Sequence, residues 1–286
     1  MIHRPQGELI FQSHDDYGRI EVREHGGRRC LHLGSRTVQS AFYLHDPLAL
    51  ALSYTEAMLT FVLLQPSPAR VLLLGLGGGS VAKFLLHHFP ASRIDAVELR
   101  PAVIAVAEKY FGLAPDKRLH LHTGDAADFL LTDSAEDAPY DAILVDAYDG
   151  EGPADATSNE HFPALCARRL AAHGVVVSNL WSAQKEVLEA QLLSLSTVFS
   201  GHVARLHVPN RGNIIVLAGP AVAGLSKRGD LAHVARHLKH AWHIDMPGYL
   251  RRISMLHEPG WRNWLRQAGL GALSDGALKL VQRDIQ

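Results

Sequence analysis

The sequence of 286 residues is poor in cysteine and has no excess of charge of either sign. Its two cysteines, Cys30 and Cys166, are far apart and lack CxxC spacing, so neither a disulfide framework nor a zinc site is expected. Lysines and arginines number 28 against 29 acidic residues, for a formal net charge of -1. This balance argues against nucleic acid or an anionic membrane as a partner. A reducing, cytoplasmic setting suits the composition.

The sequence also lacks a long uninterrupted apolar run. Its N-terminal residues, MIHRPQGELIFQSHDD, contain no apolar stretch typical of a secretory signal. The most apolar segment, residues 48–64, is short for a membrane span and carries Glu56 near its middle. We therefore expect a buried or amphipathic helix there, opened by Pro47 at its first turn.

Two patterns of hydrophobicity divide the chain. Residues 8–45 alternate apolar and polar positions around a Gly26-Gly27 turn, which predicts an N-terminal β-strand domain at residues 1–46. From residue 68, apolar strands alternate with amphipathic helices. This second pattern predicts a doubly wound α/β domain over residues 47–286.

Three finer expectations concern the second half of the chain. A helical pattern runs over residues 158–174 and is predicted to close at Gly174. Two strands near residues 202–219 are expected to form an antiparallel hairpin. The tail from about residue 226 has a mostly helical pattern.

The stretch RVLLLGLGGGSVAKF joins a fully apolar strand to a helix through a cluster of glycines. In α/β domains, such a loop lets the backbone approach a ligand at the helix N-terminus. The alternative is a tight turn without a ligand. The loop predicts a binding role for four glycines: Gly75, Gly77, Gly78 and Gly79.

Acidic residues end the next two predicted strands. Glu98 stands where an acid grips ribose hydroxyls in nucleotide-binding α/β domains; the alternative is a solvated acid at a strand end. Asp125, in TGDAADF, is suited to accept a hydrogen bond from an adenine amine. The alternative is a cap for the helix that follows, and the two roles are compatible.

The segment ILVDAYDGEGPAD delivers Asp146 and Asp149 to the carboxyl end of a buried strand. Two such carboxylates can bind a cationic amine and remove a proton from it. A pair of turn-forming aspartates is the alternative reading, since glycine and proline lie nearby.

Together these motifs resemble the spermidine synthase family (polyamine aminopropyltransferases), especially its divergent bacterial spermidine synthase-like branch. The family signature is an aspartate, two small or polar residues, a second aspartate and then Gly-Pro-Ala; here it is DAYDGEGPA. The resemblance implies a Rossmann-like, class I S-adenosylmethionine-dependent transferase fold. It also implies that Asp149 is the general base and Asp146 the acid beside it, with Tyr54 of SYTEAM lining the amine site.

The same resemblance implies a nucleoside-binding set. Glu98 would bind ribose, Asp125 would contact adenine, and Gln39 of RTVQS would face the thioether side of the cofactor. The implied set in full is Gln39, Gly75, Gly77, Gly78, Gly79, Glu98, Leu99, Asp125, Ala126 and Asp146.

The implied reaction moves an aminopropyl group from decarboxylated S-adenosylmethionine to a polyamine such as putrescine and releases methylthioadenosine, without a metal. A homodimer is also implied. Leu74 before the first glycine favours this reaction, because methyltransferases of similar fold usually carry an acid there.

Two departures from the family keep other functions open. Gly78 replaces the acid that binds the donor ammonium group, and Gly150 replaces a proline. A methyltransferase that uses S-adenosylmethionine and a nucleoside-binding protein with little turnover are the alternatives.

Overall fold

The computed structural model describes residues 6–132, 138–146 and 161–256. Its N-terminal part is a five-stranded antiparallel meander in which neighbours along the chain are neighbours in the sheet. The strands are β1 (Glu8–Asp15), β2 (Gly18–His25), β3 (Arg28–Leu33), β4 (Ser40–Tyr43) and β5 (Asp46–Leu50). Gly26 and Gly27 join β2 to β3 with φ of 57° and 71°, and this left-handed pair matches the twist of a two-residue hairpin. The predicted hairpin is confirmed.

The second sheet has eight strands in the order β13-β11-β12-β10-β9-β6-β7-β8. The neighbouring strands β10, β9, β6, β7 and β8 run parallel to one another. Beyond β10, the strands β12, β11 and β13 are added by antiparallel pairing. Their bounds are β6 (Arg70–Leu74), β7 (Arg93–Glu98), β8 (Leu119–Thr123), β9 (Tyr140–Val145), β10 (Leu170–Trp181), β11 (Val203–His207), β12 (Asn213–Ala218) and β13 (Ser254–Met255).

Helices flank this sheet. They are α1 (Ser53–Met58), α2 (Ser80–His88), α3 (Pro101–Phe111), α4 (Ala126–Leu131), α5 (Phe162–Arg169), α6 (Lys185–Val198), α7 (Arg228–Trp242) and α8 (Met246–Arg252), with 3-10 turns at Leu59–Leu63 and Pro220–Ser226. Within the described residues, none of these helices is both long and apolar enough to cross a membrane. The predicted α/β fold, the closing hairpin of β11 and β12, and the helical pattern after residue 226 are confirmed as far as the description reaches.

The centre of the second sheet explains where a ligand can bind. Strands β6 and β9 are buried apolar runs that pair with each other in parallel. From β6 the chain proceeds to β7 and β8 on one side, then returns to β9 on the other. Because the strand order reverses at this point, the loops after β6 and β9 diverge and leave a crevice at the carboxyl edge.

The N-terminal sheet packs onto this edge through helix α3. Its apolar face meets α3 in one core cluster that includes Phe42 and Phe111. Lys83 of α2 lies buried between the two parts, where its Nζ donates to the carbonyl oxygens of Phe111 (2.6 Å) and Pro47 (3.2 Å). Arg100 adds a two-pronged ion pair with Asp15 of β1 (3.0 and 2.7 Å). These contacts hold the turns of the first sheet over the crevice of the second.

Two predicted helix boundaries are wrong. Pro47 lies inside β5 and the helix begins only at Ser53, which fits the tolerance of edge strands for proline. The helix predicted to close at Gly174 ends at Arg169, and β10 starts at Leu170. A Cβ at Gly174 would lie 2.7 Å from Leu170 Cγ, so this glycine serves close packing. Residues 158–160 of that prediction lie outside the described residues.

Candidate active site

A pocket opens at the carboxyl edges of β6, β7 and β9, beneath the β1–β2 and β3–β4 turns of the first sheet. It brings together nine of the residues predicted from the sequence: Gln39, Tyr54, Gly75, Gly77, Glu98, Leu99, Asp125, Ala126 and Asp146. Gly78 and Gly79 do not line it. Asp149 and Gly150 lie outside the described residues.

The glycine-rich loop forms the floor of the pocket. Gly75, Gly77 and Gly79 have φ of 101°, 54° and 72°, a left-handed backbone that other residues adopt only with strain. Gly79 is also the N-cap of α2. The predicted turn between strand and helix is therefore present, and it needs glycine at three of its positions.

Gly78 is glycine for a different reason. A Cβ built at this position would lie 2.6 Å from Phe111 Cδ1 and 2.8 Å from Ser40 Oγ. Phe111 is buried in the cluster that joins the two sheets, so it has little freedom to retreat. The packing between α3 and the N-terminal sheet thus occupies the space that an acidic side chain at position 78 would need.

Glu98 is held by the backbone around the loop. Its Oε2 accepts from the N–H groups of Leu76 (3.1 Å) and Gly77 (3.3 Å), and its Oε1 accepts from Arg100 N–H (3.1 Å). Burial raises the pKa of Glu98, while these backbone donors and the Arg100 charge oppose the rise. The carboxylate is therefore fixed in orientation by three backbone donors, two of them in the glycine-rich loop.

Asp125 serves as the N-cap of α4. Its Oδ1 accepts from the N–H groups of Ala127 (2.7 Å) and Asp128 (3.2 Å). The capping alternative is therefore correct. Both bonds use the same carboxylate oxygen, and Asp125 also lines the pocket, so the cap is compatible with the adenine contact, which stays a prediction.

Asp146 follows β9 directly, and its backbone N–H donates to Leu74 O (2.8 Å). Its Oδ1 accepts from Asn179 Nδ2 (2.8 Å), and its carboxylate also bonds the Tyr54 hydroxyl. Burial raises the pKa of Asp146; the bonds from Asn179 and Tyr54 oppose the rise, and the charge of Glu98 adds to it. The pKa of Asp146 can be changed by substitution more easily than that of Glu98, because side chains rather than backbone groups donate to Asp146.

Tyr54 and Gln39 also line the pocket and contact each other. The Tyr54 hydroxyl lies 3.0 Å from Gln39 O, to which it can donate. The same hydroxyl also reaches the Asp146 carboxylate, so its single proton is shared between these two acceptors. Tyr54 thus links the N-terminal sheet to the end of β9, and its place in an amine site stays a prediction.

Sequence reasoning missed Asn179 and Asn213. Asn213 Nδ2 donates to Asn179 Oδ1 at 2.9 Å, and Asn179 in turn reaches Asp146. Both amides are buried near the ends of largely apolar strand segments, in VVVSNLW and NIIVLAG. That polar interruption is the signal that points to them. In the described part of the chain, no group of three His, Cys, Asp or Glu side chains is arranged to hold a metal.

Comparison with known proteins adds an independent line of evidence. Residues 51–213 match the family model described as the spermine/spermidine synthase domain. The chain is 35% identical to a polyamine aminopropyltransferase of Chromobacterium violaceum over 84% of its own length and 90% of that protein's.

Two further similarities differ in what they cover. A probable spermidine synthase from Corynebacterium glutamicum matches in structure with a TM-score of 0.64 at 22% identity, over 76% of this chain and 81% of that one; at this identity the match shows the fold alone. The human eEF1A lysine and N-terminal methyltransferase is 33% identical over 48% of this chain, but over only 21% of its own length.

Proposed function

Because the chain belongs to the spermine/spermidine synthase family, we propose that it transfers an aminopropyl group from decarboxylated S-adenosylmethionine to a polyamine such as putrescine. The observation that carries this proposal is the convergence of Glu98, Asp125 and Asp146 on one pocket around a glycine-rich loop. The three acids come from the ends of three different strands or their loops, as expected for a ligand site in an open α/β sheet.

The charge of the pocket favours a cationic ligand. Among the residues that the structure describes, three carboxylates line it, and Arg100, which also lines it, is engaged with Asp15. A sulfonium nucleoside that also carries an ammonium group complements such a site, because opposite charges attract strongly where water is displaced. Glu98 would accept hydrogen bonds from the ribose hydroxyls, and Leu99, Asp125 and Ala126 would surround the adenine.

The proposed chemistry is a single displacement. The neutral amine nitrogen of the acceptor attacks the methylene carbon next to the sulfonium, so that a C–N bond forms as the C–S bond breaks. The electron pair of the broken bond stays on sulfur, and neutral methylthioadenosine leaves. Asp146 and Tyr54 would hold the amine in line for attack, and positioning of this kind accounts for much of the acceleration.

Asp149 would take the proton of the amine. This assignment rests on the DAYDGEGPA match alone, because Asp149 lies outside the described residues. As a general base it is expected to contribute roughly a hundredfold or more to the rate.

Product analysis tests the proposal. Purified protein incubated with decarboxylated S-adenosylmethionine and putrescine should form methylthioadenosine and spermidine in equal amounts, and Asp149→Asn should lose most of that rate. Absence of methylthioadenosine above background, or full activity in the variant, would contradict it. Tight binding of methylthioadenosine without turnover would instead support the nucleoside-binding alternative.

A methyltransferase is the second candidate, and the packing at Gly78 favours it. Since Phe111 and Ser40 leave no space for the acid that would bind the donor ammonium group, the loop provides no preference for the decarboxylated donor. S-adenosylhomocysteine formed from S-adenosylmethionine would support this candidate. Homodimer assembly and a cytoplasmic location are further proposals, the first of them testable by light scattering on the purified protein.

A further inference from the structure

A carboxylate and two buried amides form a line across three strands behind the pocket. Asp146 at the end of β9, Asn179 on β10 and Asn213 at the start of β12 lie side by side at the carboxyl edge of the sheet. The register explains the alignment. Ser178 pairs with Val145, so Asn179 comes level with Asp146. Asn213 pairs with Trp181, two residues beyond Asn179 on the same face of β10, so the two amides are diagonal neighbours.

The donor and the acceptor of each hydrogen bond in this line are fixed by the chemistry of the groups. An ionised carboxylate only accepts, so Asn179 must turn its NH2 group towards Asp146 and its oxygen towards Asn213. Asn213 must then present its own NH2 group to that oxygen, as it does at 2.9 Å. Both amides are about one-twentieth exposed, 5% for Asn179 and 7% for Asn213, so water competes little for these bonds.

We propose that Asn179, held in one orientation by Asn213, is a positioning residue that keeps the Asp146 carboxylate ionised and aimed at the cationic end of the bound ligand. The inference rests on the proposed function in that it assigns Asp146 to a cationic nucleoside or amine. Asn179 does not line the pocket, so it acts through Asp146.

The surroundings of Asp146 make such support necessary. Burial raises the pKa of this acid, and the negative charge of Glu98 on β7 raises it further. Tyr54 on α1 and Asn179 on β10 supply the opposing hydrogen bonds. Within residues 6–132, 138–146 and 161–256, the other ionisable side chains that line the pocket are Tyr17, Arg100 and Asp125, and Arg100 is paired with Asp15.

The charge of Asp146 can be followed by comparing the binding of two nucleosides. Decarboxylated S-adenosylmethionine is cationic, and methylthioadenosine is its neutral counterpart. The dissociation constant of methylthioadenosine divided by that of decarboxylated S-adenosylmethionine, measured by calorimetry across the pH range in which the protein stays folded, rises as the pocket acids ionise. The pH-dependent change of this ratio that is lost in Asp146→Asn is assigned to Asp146. The pH at the midpoint of that change is the quantity compared between variants.

Two variants should move that midpoint upward. Asn179→Leu removes the donor, and loss of a hydrogen bond to a charged group should raise the midpoint by about one to two pH units. Asn213→Asp is nearly isosteric and reverses the line, because the new carboxylate accepts and draws the NH2 group of Asn179 away from Asp146. In the Asp146→Asn background, neither change should alter the ratio.

A control variant lies on the same strand. Ser178→Ala changes a buried polar side chain one residue earlier, on the other face of β10, and should leave the midpoint in place. A merely structural role for the two asparagines predicts lower thermal stability with an unchanged midpoint, and that result would overturn the proposal. A wild-type protein that binds both nucleosides equally at every pH would overturn it too.

The two hypotheses fail separately. If the wild type binds the cationic nucleoside but forms no methylthioadenosine, aminopropyl transfer is contradicted while the midpoint shift still tests Asn179. If the wild type turns over normally and Asn179→Leu does not shift the midpoint, only the positioning role is contradicted.

Discussion

Two acids of the pocket, Glu98 and Asp146, are held in opposite ways. Glu98 accepts hydrogen bonds from three backbone N–H groups, two of them in the glycine-rich loop. Asp146 accepts from side chains, one on α1 and one on β10. Backbone donors come with the fold and persist through most substitutions, whereas side-chain donors can be changed one at a time. The comparison suggests that Glu98 is part of the scaffold of the loop and that Asp146 is where charge is adjusted.

Replacing Asp146 should give the largest functional effect. In Asp146→Asn the pocket loses a carboxylate that would contact the cationic ligand, so we expect kcat/KM for aminopropyl transfer to fall roughly a hundredfold, the scale of a hydrogen bond to a charged group. Thermal stability without ligand should hold or rise, since a desolvated charge is removed. Steady-state kinetics and thermal unfolding measure the two effects.

Asp141 supplies the matched control on the same strand. Its carboxylate lies at the opposite edge of the sheet, where it accepts from the backbone N–H groups of Ala69 and Arg70. Asp141→Asn should therefore lower stability slightly and leave kcat/KM intact. If both aspartate variants lose activity equally, the pocket acid has no special part.

Replacing Glu98 should affect stability more than the preference for a cationic ligand, the reverse of replacing Asp146. In Glu98→Gln one carboxylate oxygen becomes an NH2 group, so at least one buried backbone donor loses its acceptor. We expect a loss of about 1–3 kcal/mol in the free energy of unfolding. Binding of cationic and neutral nucleosides should weaken together, by roughly tenfold. Chemical denaturation and calorimetry are the measurements. A variant with wild-type stability and a selective loss of cation binding would reverse the assignment of the two acids.

An acid introduced into the loop tests whether the glycine at 78 is a packing requirement. Gly78→Asp places a Cβ against Phe111 and Ser40, and we expect it to cost about 1–3 kcal/mol of stability, as overpacking usually does. Combining it with Phe111→Leu should recover part of that loss relative to the sum of the two single changes. Equilibrium unfolding of the three variants gives the coupling. Strict additivity would show that Phe111 is not the obstacle.

Much of this arrangement is predictable from the sequence, because buried parallel strands are apolar runs and their carboxyl ends meet at one edge. Glu98, Asp125 and Asp146 were predicted by their places at strand ends, and the pocket contains all three. The helix limits at Pro47 and Gly174 were wrong because an edge strand and a close-packed glycine look the same in sequence as a helix start and a helix stop.

The remaining features depend on contacts between distant parts of the chain. Asn179 and Asn213 become neighbours only because β12 joins the sheet antiparallel beside β10, and no spacing in the sequence marks that. The obstacle at Gly78 is a phenylalanine 33 positions later, at the end of α3. Strand order and helix packing, rather than local pattern, determine which side chains support the predicted acids.

The smallest expected effect is on the pH dependence of stability, where Glu98 and Asp146 act in the same direction. Burial raises the pKa of both Glu98 and Asp146 in the folded protein above their ordinary values of 4.5 and 3.8. A group with a raised folded pKa stabilises the protein below its unfolded pKa, and that contribution is lost as pH rises through the folded value. Asp146→Asn removes this loss. The melting temperature of the variant relative to wild type should therefore increase by a few degrees as pH rises from about 4 to about 7. Asp15, Asp95 and Asp116, whose folded pKa values are lowered, act in the opposite direction in both proteins and cancel in the difference. A difference that stays flat across this range would mean that Asp146 pays no penalty for its charge, and that its hydrogen bonds from Asn179 and Tyr54 already match what water would provide.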